Sequence, residues 1–260
     1  MQIFKYHFRA SLWPTLATLV LLPCLVWLGF WQLDKAQQKR TLQAEYDARI
    51  DDASPVTFGG EPWSAEVVRF RRVQLTGYYD TAYQVLLDNR VHQGVAGYHV
   101  ITPLHLRGSN QRVLVNRGWI AMGVDRQHPP RIDTPADAQE IHGIAVVPSE
   151  KYFTLADPGP VSGPWQTVWQ NMDMERYRHA VPFPVQPVVV LLDSTSPAGG
   201  FVRVWARLDA GIATHEAYAF QWFSLAVAVL GVYVLVNFRR DPGVTSKNDK
   251  LTGKRKDASG

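Results

Sequence analysis

Residues 217–238 read AYAFQWFSLAVAVLGVYVLVNF, twenty-two positions without a charge between Glu216 and Arg239. A helix rises about 1.5 Å per residue and the hydrocarbon core of a bilayer is about 30 Å thick, so this run is long enough to cross. A second run precedes it in the chain. The twenty-four positions 10–33, ASLWPTLATLVLLPCLVWLGFWQL, lie uncharged between Arg9 and Asp34. Pro14 and Pro23 would damage a soluble helix but are tolerated in a membrane one. Lys5 and Arg9 would suit a signal peptide. The run ends Trp-Leu-Gly-Phe-Trp-Gln-Leu, however, without the small residues of a cleavage site, so it reads as an uncleaved anchor.

Working outward from the two runs, charge sets the orientation. Residues 34–216 hold 18 Lys+Arg and 20 Asp+Glu, net −2, whereas the two ends together are net +6. Seven cations follow the second run, from Arg239 and Arg240 to Lys256, and the positive-inside rule then puts the C-terminus in the cytoplasm. Two crossings place both termini there and the central segment outside. The expected organisation is a cytoplasmic start (1–9), a first span (10–33), an extracytoplasmic domain (34–214), a second span entered at His215 (215–238) and a basic, disordered tail (239–260). The setting is a bacterial-type inner membrane with the domain in the periplasm. The sequence pI of about 9.2 comes from the ends. It therefore reads as a topology signal and a contact with anionic lipid headgroups, with no nucleic-acid partner.

The central segment begins as a helix. Positions 34–50 are rich in Gln, Ala, Lys, Arg and Glu, with Leu42, Tyr46 and Ile50 four apart, and continue the first span into water. From Pro55 the pattern changes to short alternating runs: VVRFRRVQLTGYYD, YQVLLDN, GYHVITPLHL, QRVLVNRGWIAM, EIHGIAVV, TVWQ and PVVVLLD. Gly94, Gly97, Gly108-Ser109-Asn110 and Pro129-Pro130 punctuate them. Asp173 to His179 reads as one short helix. The fold class is thus α+β: two transmembrane helices flanking a mainly antiparallel β domain, barrel-like or sandwich-like.

Enzyme templates are missing. There is no Gly-x-Ser-x-Gly, phosphate loop, dinucleotide fingerprint or His-Glu-x-x-His; His215-Glu216 starts like the last, but position 219 is Ala. The single cysteine, Cys24, lies within the first span. His99 and His105 could share a strand face, yet two histidines lack the spacing of a metal centre. No catalytic residue is expected.

His215 stands apart. It sits at the entry of the second span, where ionisable groups are expensive and tend to be functional. At 100° per residue, Tyr218, Ala219, Trp222, Ala226, Val229 and Tyr233 lie within about 60° of it. A histidine, small residues and aromatics on one face could receive a flat apolar macrocycle, the imidazole ligating its metal and Trp222 packing about 10 Å deeper. The plainer reading is an interfacial aromatic belt, with Trp27 and Trp31 at the same depth on the first span. Gly29 between them could let two helices approach closely.

Four segments together resemble the Surfeit-locus-one family, assembly factors for haem-copper cytochrome c oxidase. They are Leu28-Gly29-Phe30-Trp31-Gln32-Leu33 with Lys35 and Lys39; Gly77-Tyr78-Tyr79-Asp80 running to Asn89-Arg90 and Gly97 to Leu104; Leu114-Val115-Asn116-Arg117-Gly118-Trp119; and His215 to Phe223. The resemblance runs from about Gly29 to Val244. The family often has Pro where Ala121 stands and Arg where Lys35 stands. Membership would imply a protein that binds haem a as transient cargo and aids its delivery to subunit I. His215 would be the iron ligand, with Trp222, Tyr218 and Ala219 beside it. Partners would be subunit I and other assembly factors, including the haem a synthesis machinery. A non-haem scaffold that stabilises oxidase intermediates through its outer domain is the alternative. A membrane enzyme is less favoured.

Overall fold

The computed structural model describes residues 6–50, 54–123, 128–148, 165–205 and 211–240; of the tail expected to be disordered from 239, Arg239 and Arg240 instead lie in a strand, and the residues from 241 onward fall outside the described ones. In chain order the elements are β1 (Tyr6–Phe8), α1 (Leu12–Ile50), β2 (Val56–Thr57), α2 (Ala65–Val68), β3 (Arg72–Tyr79), a 3-10 turn (Thr81–Tyr83), β4 (Val85–His92), β5 (Val95–Leu106), β6 (Arg112–Ala121), β7 (Gln139–Val146), β8 (Val168–Trp169), α3 (Met174–Ala180), β9 (Val185–Leu192), α4 (Ile212–Asn237) and β10 (Phe238–Arg240). They form two compact units, 1–40 with 209–260, and 41–208.

In the second unit the sheet closes on itself. The order β3-β7-β9-β6-β5 returns to β3 through the β5–β3 pairing, making a five-stranded barrel. Every pairing around that ring is antiparallel except β6–β9. The mainly antiparallel expectation holds, and the choice between barrel and sandwich falls on the barrel. β5 is long enough to serve two partners, pairing Val95–Ile101 with β4 and Leu104–Leu106 with β3. The change of partner falls at Thr102–Pro103, where proline has no N–H to donate to either neighbour.

Strand alternation sorts the side chains. Val113 and Val115 of β6 face the barrel interior with Val73, Leu75, Leu104, Ile141 and Val190. Leu114 between them faces outward and packs with Val85, Ile101, Val189, Trp169 and Tyr177, which α3 and the β8 segment supply. α3 is capped by Asp173, whose carboxylate accepts from the Arg176 N–H at 2.9 Å. The short helix expected over 173–179 is therefore present.

One strand starts later than its alternation suggests. Val67 and Val68 belong to α2, and β3 begins at Arg72. Between them Phe70 takes a positive φ of 62° and packs edge-on against Tyr46 at 5.3 Å. Burial of Val68 and Phe70 thus overrides the local period.

Arg117 is fully buried, at 0% exposure. Its Nε donates to the Gly199 carbonyl at 2.8 Å, Nη1 to the Thr134 hydroxyl at 2.7 Å, and Nη2 to the Asp133 carbonyl at 2.7 Å. Tyr79 and Phe201 offer their ring faces at 4.8 and 4.9 Å. Burial pulls its pKa down, but a guanidinium keeps its proton throughout the working range. It therefore ties two loops to the barrel as a cation held by neutral acceptors. The same burial pushes the Tyr79 hydroxyl up to about 12.

Arg117→Lys keeps the charge and loses the planar fork, which should destabilise the protein by about 2–4 kcal/mol. A lowered urea midpoint at unchanged slope is the expected result. His99 supplies a second test. Burial and the nearby Arg90 hold its pKa at about 4, against an ordinary 6.5. Below pH 6.5 the unfolded chain binds the proton more readily, so this stability is complete above 6.5 and is lost as pH falls toward 4. Midpoints across that window should show the decline, and His99→Gln should flatten it.

Candidate functional site

The first unit contains α1 as far as Arg40 together with α4, and both helices are long and apolar enough to cross a membrane. They run antiparallel, as their mutual contacts show: Asn237 meets Ser11, Tyr233 meets Thr15, and His215 meets Gln32. Along α4 the covered positions are Ile212, His215, Glu216, Ala219, Trp222, Phe223, Ala226, Val229, Tyr233 and Asn237. Steps of four and three between most of them are the spacing of a helix seam. The histidine face is therefore the face turned to α1.

Small residues allow the approach. Ala219 is 1% exposed, and Ala226 is also buried; on α1 the buried positions are Gly29 and Ala36. The Phe223 ring lies on Gly29, such that a Cβ there would stand 2.6 Å from a ring carbon. Phe30 meets the same ring edge-on at 5.4 Å. Close packing of this kind, rather than hydrophobic exclusion, holds helices together in lipid.

At the end where α4 begins, Nδ1 of His215 lies 2.7 Å from Oε1 of Gln32. The amide oxygen accepts, so Nδ1 carries the proton and Nε2 presents its lone pair. No described residue bonds Nε2. Glu216, the next residue along α4, forms an ion pair with Arg40.

The candidates named from sequence separate here. His215, Ala219 and Trp222 share the seam; Tyr218 lies at its edge, 49% exposed. Trp222 places its indole Nε1 where no solvent reaches, without a hydrogen-bond partner among the described residues. Trp27 faces away at 63% exposure, and Trp31 is also exposed. His99 and His105 do not converge: the first pairs with the Asn116 amide at 3.4 Å, the second with the Ser109 carbonyl at 2.8 Å. Gln32 went unrecognised as a partner of His215. Its signal was present, an amide at the end of an apolar run on the same helical face as Gly29 and Ala36.

Fold and site together define a class: a closed β-barrel domain inserted between two apolar helices that pack around a histidine. Within that class the chain belongs to the SURF1 family, whose model matches residues 19–227, a family known for cytochrome c oxidase assembly factors. Surfeit locus protein 1 of Rattus norvegicus is 23% identical over 237 residues, covering 84% of this chain and 73% of that protein. The SURF1-like protein of Monosiga brevicollis is 25% identical over 230 residues, covering 80% and 82%. The SURF1-like protein of Rickettsia felis is 24% identical over 240 residues, covering 87% and 96%.

If Phe223 fills the space that Gly29 leaves, Gly29→Val should destabilise the helix pair by about 1–3 kcal/mol through overpacking. Adding Phe223→Ala should recover most of that loss. Unfolding of the detergent-solubilised full chain measures both, and simply additive losses would show that the ring is not the neighbour that matters.

Proposed function

We propose that this chain is an assembly factor for haem-copper cytochrome c oxidase that binds haem a at His215 and passes it to subunit I. The observation that carries the reading is the imidazole itself, tied through Nδ1 to Gln32 with Nε2 bonded to no described residue. A metal-ligating histidine characteristically donates its other ring N–H to an oxygen acceptor, which fixes tautomer and orientation. Here that acceptor stands ready on the facing helix. The unpaired Trp222 N–H supports the same reading, since a shielded donor without an acceptor is rare and asks for an explanation.

Haem would bring an iron that accepts an imidazole nitrogen, and His215 would be the residue that holds it. A single protein ligand suits cargo that must leave again. Tyr218, 49% exposed, would supply aromatic surface at the open edge near the imidazole, while Ala219 and Trp222 lie in the seam that α1 covers. The chain would work as a carrier rather than a catalyst. Partners would be subunit I, other assembly factors and the machinery that makes haem a. The cation-rich C-terminal tail favours a cytoplasmic location for both ends and a periplasmic β domain in a bacterial inner membrane.

Protein purified in detergent from cells that synthesise haem a should carry a haem absorption spectrum, and His215→Ala should lose most of it. Trp222→Ala should weaken binding while leaving iron ligation intact. An unchanged spectrum in His215→Ala would remove the histidine as ligand. Subunit I co-purifying with a haem-free wild type would turn the assignment to a scaffold.

A further inference from the structure

The β domain leaves one half-buried arginine without a partner. β4 and β5 are joined by the two-residue turn Gln93-Gly94, both at positive φ, 49° and 79°, as a tight hairpin requires. Its register sets Arg90 opposite Gly97 and His92 opposite Val95. Trp119 stands opposite His99 on one side and Val202 on the other. Residues paired across strands share a face, as do residues two apart on one strand. Arg90, His92, Val95, His99, Trp119 and Val202 therefore stand together on one side of the sheet. Gly97 is the floor between them. A Cβ there would come within 2.5 Å of the Trp119 indole nitrogen, and the ring crosses it to donate to the Arg90 carbonyl at 2.8 Å. The His92 ring lies against the same indole at 5.2 Å.

The polar groups of this patch are donors that lack acceptors. Nε of Arg90 is shielded from solvent without a hydrogen-bond partner, and among the described residues its guanidinium makes no hydrogen bond or ion pair. Asp88 acts on it only through space, and the Asp88 carboxylate accepts from the Asn89 N–H at 2.7 Å. The Asn116 oxygen accepts from the Gly118 N–H, so its amide nitrogen faces Nδ1 of His99 at 3.4 Å. Neutral His99 therefore carries its proton on Nε2, a second donor. A partly desolvated cation left unpaired costs free energy that an incoming anion would recover. Val95 and Val202 beside it are 52% and 40% exposed, and an arginine and a tryptophan among apolar side chains are the composition of an interface centre. Residues 34–216 are net −2, which disfavours a polyanion or an anionic bilayer and leaves room for a single carboxylate. We propose that this face docks an acidic segment of a partner protein, with one Asp or Glu carboxylate on Arg90 and apolar neighbours over Trp119, Val95 and Val202. The surface lies wholly in the second unit and is independent of whether His215 carries haem.

The test places p-benzoyl-phenylalanine at Val95 of the full chain and irradiates it in its native membrane. The adduct should be one protein, joined at a stretch where an Asp or Glu stands among apolar residues. A synthetic peptide of that stretch, titrated into the detergent-solubilised chain, should bind about tenfold more tightly than its Asn or Gln counterpart, as expected for one charge-assisted hydrogen-bonded pair. Arg90→Met should bind both peptides as weakly as the wild type binds the amide form, and Arg90→Lys should recover part of the preference. An arginine with a purely structural role would not move that difference. Adducts with lipid, no adduct, a joined stretch without an acidic residue, or equal binding of the acid and amide peptides would each overturn the proposal.

Discussion

A polar side chain on an apolar helix has few places to go, and its partner on the facing helix sets the alignment of both. Three such pairings step along α1 and α4: Ser11 with Asn237, Thr15 with Tyr233, and Gln32 with His215. Each bond is worth little by itself, of the order of 1 kcal/mol in lipid. The alternative is an unsatisfied polar group in hydrocarbon, which is worse. A slip of one residue would break all three together and drive the Phe223 ring off Gly29. Register is thereby selected by polar pairs and enforced by small residues. The direction in which His215 presents Nε2 follows from that register, not from the histidine alone.

The β domain solves the same problem by different means. Four consecutive residues, Asn116-Arg117-Gly118-Trp119, each complete a structural contact. Asn116 pairs with His99 and accepts from the Gly118 N–H at 3.2 Å. Arg117 fastens two loops. Gly118 adopts a φ of 120° and passes so close to the Val202 carbonyl that no side chain would fit. Trp119 donates to the Arg90 carbonyl at 2.8 Å. A segment that helped mark the family by sequence is thus explained by the architecture of the barrel. The ligand proposal draws on other segments, the middle of α1 and the start of α4, far apart in the chain.

That division explains what could be read without coordinates. The spans were legible because length and the absence of charge are properties of one segment. The strands were legible for the same reason, from a period of two. Barrel closure was not, since it depends on β3 choosing β7 and β5, and on β9 lying parallel to β6; such choices are made between segments distant in sequence. The α-helical period correctly gathered His215, Ala219, Trp222 and Ala226 on one covered face, but it also included Tyr218, which stays 49% exposed at the edge. It could not say that α1 would cover that face, nor that Gln32 would be the group at the histidine. Val67–Val68 misled because packing at Phe70 outweighed a local alternation that was real.

Coverage of the histidine face bears on how cargo would be held. Ligation at Nε2 would leave the Gln32 bond at Nδ1 in place. Ala219 and Ala226 are a different matter, since they are buried within the seam. A macrocycle on the proposed reading must lie along the open edge by Tyr218, or take the alanine face by displacing α1. Displacement would surrender the packing at Gly29 and Phe223, and that loss is subtracted from the affinity for the cargo. For a storage site this would be a defect. For a carrier it is the source of release, because the helix pair regains its own contacts as the cargo departs.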